Sequence, residues 1–261
     1  FSRNIVDSLQ VQDLVKSLRE ISGASCPILI DQEGGRVARL KPPHWPKFES
    51  MESIVTDNFK NPLQAVYENA VNLGVELKKL GINVNCAPVC DLKIAGSHSI
   101  IGDRSFGEDP DLVAKYAQQM CAGLRSKSVT PIIKHIPGHG RAKVDSHESL
   151  PIVDEPINIL EETDFKVFRL LKDEKAWAMT AHIIYSCLDK DNPATLSKKV
   201  IDYIRNNIGF KGLIISDDVS MKALSGNLGT IAKSALAAGC DIILHCNGEM
   251  KEMRELVGGL N

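Results

Sequence analysis

The sequence predicts an α/β protein in which a parallel sheet closes into a (β/α)8 barrel of the TIM type. Short apolar runs alternate along the chain with longer segments of helical periodicity. The short runs are apolar throughout, as strands are in a parallel sheet that is buried on both faces. Polar clusters follow almost every run, and a ring of such loops at the carboxyl ends of the strands is typical of a barrel.

Six of the short runs are predicted to be strands. They cover residues 26–30, 82–88, 129–133, 176–181, 213–215 and 241–244. Helices are predicted over residues 5–21, 62–80, 111–127, 157–172, 198–207, 230–238 and 249–257. In the first of these, apolar residues recur with roughly the helical period. Pro62 suits the first turn of a helix, and Gly81 suits a helix end.

The start of the chain bears on the number of strands. Phe1-Ser2-Arg3-Asn4 resembles the end of a further strand, and eight strands fit if about one more precedes it. A doubly wound open sheet is the alternative, but no Gly-x-Gly-x-x-Gly motif follows an early strand. No linker or change in composition divides residues 1–261, so the sequence predicts one domain.

The composition excludes several kinds of partner. The 261 residues are 43% hydrophobic and 25% charged, with a formal net charge of -2. There is no basic stripe with interleaved aromatic residues, which argues against nucleic acid. No apolar run approaches the roughly 20 residues that span a membrane. The seven cysteines are irregularly spaced, so we expect free thiols in a reducing compartment, the cytoplasm.

Residues 134–148 hold the densest group of reactive side chains. Asp145 stands two positions before His147, and a carboxylate beside an imidazole can accept its ring N–H and stabilise the imidazolium. His147 is therefore a candidate proton shuttle near neutral pH. A solvated polar loop is the alternative interpretation of this trio, in which Ser146 is the middle residue.

A metal site is another alternative for the same segment. His135 and His139 are four residues apart, and with His147 and His182 they could gather a zinc ion. Pro137 and the neighbouring glycines exclude a regular helix, and the glutamate of the His-Glu-x-x-His motif is missing. We therefore predict neither a metal nor a cofactor.

Two adjacent acids, Asp217 and Asp218, follow the apolar run at residues 213–215. A carboxylate at the end of a strand can act as a nucleophile, as a base or as a metal ligand, and it can also cap a helix. The sequence allows one acid to do each task.

Charged residues after other strands suit a ligand that carries many hydroxyl groups. Asp31 is followed by Arg36 and Arg39, and a carboxylate with guanidinium groups can grip hydroxyl pairs in fixed directions. Arg104 and Lys134 add further donors. A surface ion pair is the alternative for any one basic residue, but their shared placement after strands favours a common pocket.

Six segments of the chain carry a resemblance to a known family. They are Asp31-Gln-Glu-Gly-Gly-Arg-Val-Ala-Arg39, Asn85-Cys-Ala-Pro-Val-Cys-Asp91, Ile101-Gly-Asp-Arg-Ser-Phe-Gly107, Lys134-His-Ile-Pro-Gly-His-Gly140, Asp145-Ser-His147 and Ile215-Ser-Asp-Asp-Val-Ser-Met221. Together they resemble glycoside hydrolase family 3, and in particular its single-domain bacterial β-N-acetylglucosaminidases.

The resemblance implies a role for each candidate residue. Asp217 would be the catalytic nucleophile. His147 would be the general acid/base, paired with Asp145 in place of the usual second carboxylate. The N-acetylglucosamine in the terminal subsite would be held by Asp31, Arg39, Arg104, Lys134 and His135. The family's fold is a (β/α)8 barrel, in agreement with the strand count.

The resemblance also implies an activity. A retaining glycosidase of this kind forms a covalent glycosyl-aspartate, and the expected partner is a small carbohydrate, a 1,6-anhydro-muropeptide of peptidoglycan recycling. No nucleic acid or membrane partner is expected. Phosphate in place of water as the acceptor stays open, because some relatives with this histidine act as phosphorylases. A sugar-binding barrel without catalysis and a metal-dependent hydrolase are the rival classes.

Overall fold

A computed structural model describes residues 4–56 and 60–260. The strand end expected at Phe1 lies outside these ranges. The strands are β1 Leu29–Ile30, β2 Val84–Asn85, β3 Thr130–Ile136, β4 Ile152–Val153, β5 Trp177–Thr180, β6 Ile184–Tyr185, β7 Ile214–Asp218 and β8 Ile242–Leu244. Six of them form one parallel sheet in the order β1-β2-β3-β5-β7-β8, and β4 pairs with β6. All six predicted strands belong to the large sheet, so the predicted strand–helix alternation is confirmed.

The helices connect these strands. They are α1 Ser8–Ser22, α2 Met51–Thr56, α3 Pro62–Lys79, α4 Pro110–Ser126, α5 Ile157–Glu162, α6 Asp164–Leu170, α7 Lys198–Tyr203, α8 Leu228–Ala238 and α9 Met250–Gly258. The side chains of Asp7, Asn61 and Asp109 accept N–H groups in the first turns of α1, α3 and α4, which satisfies donors without a partner inside the helix. None of the helices described combines the length and the apolar character needed to cross a bilayer.

Side chains from both edges of the sheet meet in a small apolar cluster. Val84 of β2, Ile132 of β3 and Ile215 of β7 belong to it, and Leu29 of β1 and Ile242 of β8 pack against it. Strands at opposite edges can share one cluster only if the sheet curls around it. A larger core on the outer side includes side chains of α3, α4 and α6. The predicted barrel class is confirmed.

The predicted helix over residues 157–172 is wrong as a single element. It is two helices, α5 and α6, because Thr163 leaves the helical region with φ -123° and ψ -94°. The Thr163 hydroxyl donates to the Ile159 carbonyl over 2.6 Å. Arg141, from the loop after β3, donates to Asp164 over 2.6 Å and to Thr163 over 3.0 Å. A side chain from a distant segment therefore stabilises a break that helical periodicity does not reveal.

Other boundaries also differ from the prediction. Strand β3 runs to Ile136, so Lys134 and His135 are strand residues rather than loop residues. The predicted helix over 198–207 continues past α7 through a π-helical turn before Gly209, at φ +87°, ends it. Helix α2 and the pair β4–β6 were not predicted, because segments of six and two residues are too short to show a period.

The packing of α4 against α3 predicts a stability effect at Gly123. A Cβ atom at this position would lie 2.6 Å from the Tyr67 carbonyl oxygen and from Ala70 Cβ. Gly123→Ala should lower the free energy of unfolding by about 1–3 kcal/mol, although alanine alone favours a helix by about 1 kcal/mol. Urea denaturation measures this change. Gly258→Ala is the control, because no atom lies within 4 Å of its added Cβ, and a Gly123→Ala protein as stable as this control would contradict the packing argument.

Candidate active site

A cavity of about 160 Å³ lies at the carboxyl ends of the sheet strands. It is lined by seven of the eight residues predicted for catalysis or binding: Asp31, Arg39, Arg104, Lys134, His135, His147 and Asp217. The eighth, Asp145, is hydrogen-bonded to His147 at the cavity rim. Residues that are far apart in the sequence therefore converge on one polar cavity, as the placement of the polar clusters after strands predicts.

Glu33 is the buried centre of the charged side of this cavity, and the sequence interpretation gave it no role. Its side chain is 2% exposed and accepts two hydrogen bonds from the Arg104 guanidinium, over 2.8 and 2.9 Å. The Lys134 Nζ lies 2.6 Å from the same carboxylate. Burial alone would raise the pKa of Glu33, but the charges of Arg104 and Lys134 hold it well below its usual range.

Asp31 is the open carboxylate of the same network. One oxygen accepts from Lys134 Nζ over 3.2 Å, and the other accepts from Arg39 over 3.3 Å. The Asp31 side chain is 38% exposed, so its remaining lone pairs face the cavity. Burial would raise the pKa of Asp31, but the Lys134 charge outweighs it and the pKa is lowered. Arg36, in contrast, bonds mainly to Asp103 and to carbonyls of residues 99–101.

An irregularity in β3 brings two consecutive side chains to the cavity. Successive residues of a regular strand point to opposite faces, yet Lys134 and His135 both line the cavity. The pairing register with β5 shifts between Lys134 and Ile136, so that His135 is an extra residue. A bulge of this kind re-aims a side chain, which explains how neighbours in the sequence reach the same ligand space.

Asp91 fixes the orientation of His135. It is fully buried; one oxygen accepts the backbone N–H groups of His135 and His139, over 3.1 and 2.7 Å. Its other oxygen lies 2.7 Å from His135 Nδ1. Burial would raise the pKa of Asp91, but contact with His135 lowers it. Because an ionised carboxylate only accepts, Nδ1 carries the proton, and Nε2 faces Asp217 Oδ2 at 4.0 Å.

The two acids at the end of β7 point to different tasks. Asp217 lines the cavity with its side chain 18% exposed. Burial would raise the pKa of Asp217, but the adjacent His135 and His182 lower it, so it is ionised at neutral pH. Asp218 instead accepts the backbone N–H groups of Ser220 and Cys246. Asp217 therefore faces the cavity, while Asp218 orders a loop and does not cap the next helix, which begins at Leu228 with Asn227 as its cap.

The Asp145–His147 pair lies on an exposed segment. Asp145 Oδ1 accepts the His147 backbone N–H over 2.8 Å and lies 2.9 Å from its ring Nδ1. The His147 side chain is 63% exposed, while that of Asp145 is 18% exposed. Burial would raise the pKa of Asp145, but the hydrogen bonds from His147 lower it. An ionised Asp145 leaves the second ring nitrogen, Nε2, free to exchange a proton.

The histidines do not assemble as the metal alternative requires. His182 is fully buried and bonds to Thr195 Oγ1 and to the Asp218 carbonyl, over 2.7 and 3.0 Å. His135 bonds to Asp91 and His139 bonds to Ser146. Within residues 4–56 and 60–260, no group of three or more His, Cys, Asp or Glu side chains has the arrangement of a metal site.

Fold and cavity together define the class of the protein, which is an α/β barrel with a polar cavity at the carboxyl ends of its strands. A family model for the glycosyl hydrolase family 3 N terminal domain matches residues 1–261, the whole sequence. The chain therefore belongs to glycosyl hydrolase family 3, and it is a glycoside hydrolase.

Individual relatives agree with this assignment. A beta-hexosaminidase of Nitrosomonas eutropha is 36% identical over 254 residues, which are 95% of this chain and 72% of that protein. A family 3 beta-N-acetylglucosaminidase from Paenibacillus sp. superposes with a TM-score of 0.90 at 32% identity, over 100% of this chain and 50% of that one. NagZ from Neisseria gonorrhoeae superposes with a TM-score of 0.90 at 32% identity, over 99% of this chain and 76% of that one. That protein has also been crystallised with N-trifluoroacetyl-D-glucosamine.

The burial of His139 predicts a specific loss of stability in acid. Burial lowers the pKa of His139 to about 4, from 6.5 in the unfolded chain. As pH falls through 6.5 the unfolded chain takes up this proton first, so stability present at neutral pH is lost between 6.5 and 4. His139→Gln removes this titration. Between pH 7 and pH 5 the free energy of unfolding of the wild-type protein should fall by about 2 kcal/mol more than that of His139→Gln.

Urea midpoints at the two pH values measure this difference. His44→Gln is the control. It changes an exposed histidine, and its urea midpoint should equal that of the wild-type protein at both pH values. Parallel acid losses in wild type and His139→Gln would show that His139 is not held neutral in the folded state.

Proposed function

We propose that this chain is a retaining β-N-acetylglucosaminidase that removes non-reducing terminal N-acetylglucosamine from β-linked substrates. One observation carries the proposal. The ionised Asp217 faces a small polar cavity, and an imidazole paired with a carboxylate, His147 with Asp145, lies at the rim of the same cavity. A nucleophile and an acid/base group beside one sugar site are what a retaining mechanism requires. The names of the relatives support the same substrate class.

The charged side of the cavity is proposed to bind the sugar. Asp31 accepts hydrogen bonds from ligand hydroxyls, and Arg39 and Lys134 donate to them from positions beside it. Arg104 uses three of its five N–H groups on Glu33 and Ile100, among the hydrogen bonds of the described residues. Its other N–H groups remain for the ligand. His135 presents Nε2 to a hydroxyl next to Asp217.

In the first proposed step, an oxygen of Asp217 attacks the anomeric carbon while the bond to the leaving oxygen breaks. The imidazolium of His147 gives its Nε2 proton to that leaving oxygen, so the aglycone departs as a neutral alcohol. The product is a glycosyl ester of Asp217 and a neutral His147. Asp145 stabilises the imidazolium before the transfer through its bond to Nδ1.

The second step reverses these roles. Neutral His147 takes a proton from a water molecule, whose oxygen attacks the anomeric carbon, and Asp217 leaves as a carboxylate. The free sugar and the starting charge states result. The group that faces the incoming acceptor is then a neutral imidazole rather than a carboxylate, so phosphate in place of water is the variant of this step to be tested.

We propose that 1,6-anhydro-muropeptides of peptidoglycan recycling are the substrates, that the enzyme acts in the cytoplasm, and that residues 1–261 form one catalytic barrel. The small volume of the cavity suits a single terminal sugar. All seven cysteines are unpaired, as is usual in a reducing compartment.

The direct test is release of sugar from an aryl N-acetyl-β-glucosaminide. The wild-type protein should release N-acetylglucosamine, and Asp217→Asn should lower kcat on the order of 10⁴-fold or more while some sugar binding remains. Asp202→Asn, an exposed carboxylate paired with Lys198, is the control and should keep full activity. Near-normal turnover by Asp217→Asn would contradict the assignment of the nucleophile.

Parallel reactions with phosphate test the acceptor. Release of the sugar 1-phosphate in them would show that phosphate replaces water in the second step.

The acid role of His147 predicts a dependence on the leaving group. His147→Ala should lower kcat on a β-linked disaccharide by roughly 10²- to 10⁴-fold, because its leaving alkoxide needs a proton. The first step with a dinitrophenyl glycoside should change far less, since that leaving group departs as an anion. Rapid-mixing measurement of dinitrophenolate release separates this step from the second. Equal losses on both substrates would exclude the acid role.

A further inference from the structure

His139 is a buried residue of the cavity lining, yet the proposed reaction gives it no task. It is 3% exposed. Its backbone N–H donates to Asp91 over 2.7 Å, and its ring lies edge-on to that of His135 with centroids 5.4 Å apart. Both partners belong to the framework of the barrel, since Asp91 is fully buried and His135 lies in β3. The imidazole therefore has a fixed position.

From this position the ring reaches Ser146. His139 Nε2 and Ser146 Oγ are 3.1 Å apart, and both residues are buried. His139 Nδ1 is buried without a hydrogen-bond partner in the described part of the chain. Within the described residues, the His139 ring therefore makes its hydrogen bond to Ser146. The neutral ring keeps it in either tautomer, as Nε2–H donor or as acceptor of the Ser146 hydroxyl.

Ser146 lies between the two residues of the proposed proton-transfer pair. The structure records two hydrogen bonds that join residues 143–149 to other described segments, and both end on Ser146. One is the bond to His139, and the other runs from the Ala223 backbone N–H to the Ser146 carbonyl over 3.2 Å. The hydrogen bonds of Asp145 stay inside the segment. Within residues 143–149, Ser146 is therefore the residue through which hydrogen bonds join the Asp145–His147 pair to the barrel.

We propose that His139 and Ser146 form a latch that positions the Asp145–His147 pair for proton transfer. The inference rests on the proposed function, because it concerns the acid/base group of that reaction. His139 and Ser146 act through the segment and are positioning residues. With the latch closed, His147 is placed beside the leaving oxygen. Without it the segment keeps only the bond from Ala223, and a shift of about 1 Å in a reacting group can lower a rate by 10²-fold.

Ser146→Ala tests the latch with little change in volume. It should lower kcat on a β-linked N-acetylglucosamine disaccharide on the order of 10- to 100-fold, with KM close to the wild-type value. Release of dinitrophenolate in the first step should stay near wild type. Ser149→Ala makes the same change at an exposed serine of the same segment, and it should leave both rates unchanged. A melting temperature close to wild type shows that Ser146→Ala is folded.

The double variant tells positioning from an independent effect. If Ser146 acts through His147, adding Ser146→Ala to His147→Ala should change kcat on the disaccharide no further. A second loss of the same size in the double variant would overturn the latch, and so would wild-type activity of Ser146→Ala. A His147→Ala enzyme with full activity on the disaccharide would instead overturn the proposed acid/base role, and the latch with it.

His139 variants give the reciprocal evidence. His139→Gln keeps an amide near the position of Nε2 and should retain most of the kcat. His139→Leu keeps the bulk but loses the hydrogen bond, and it should reproduce the loss of Ser146→Ala with the same split between the two substrates. Equal kcat values for His139→Leu and His139→Gln on the disaccharide would contradict the latch.

Discussion

The cavity depends on one buried carboxylate, that of Glu33. The loop after β1 supplies Glu33, a turn far along the chain supplies Arg104, and β3 supplies Lys134, with contacts of 2.6 to 2.9 Å between their charged groups. Removing such charges from water costs several kcal/mol each, and the cost is offset only when all partners are present. The three segments must therefore assemble together. Asp31 is then left beside Lys134, a cation that this network fixes, and part of its carboxylate stays exposed to the cavity.

A second constraint acts on the backbone at the end of β3. The bulge at His135 interrupts the regular pairing with β5, and a buried N–H without a partner is unfavourable. Asp91 accepts the N–H of His135, and with the same oxygen that of His139. The carboxylate that completes the backbone hydrogen bonding also sets the tautomer of His135. Local folding and the orientation of the ring toward Asp217 therefore have one cause.

The sequence revealed which residues meet, but not the contacts that support them. Apolar runs predicted the six strands, and polar residues that follow four of those runs line one cavity. Glu33 and Asp91 lie within the segments that resemble the family, yet the sequence assigns them no role. Their supporting role can be recognised only from the residues they contact, and those residues come from distant parts of the chain. The break at Thr163 was missed for the same reason, since Arg141 stabilises it from another loop. The sequence held one signal for Glu33: it is a second acid, two positions after Asp31, in the same loop after a strand.

Under the proposed reaction, the two halves of the site need different mechanical properties. The groups assigned to the sugar lie at strand ends and in a buried ion network, where charges in fixed positions favour one ligand orientation. The pair assigned to proton transfer must serve a departing aglycone and then an arriving water, so its surroundings must open between the two steps. His147 is 63% exposed, whereas Lys134 is 3% exposed. A segment joined to the barrel through Ser146 meets both requirements. One buried contact sets the position of the Asp145–His147 pair, while the pair itself faces solvent.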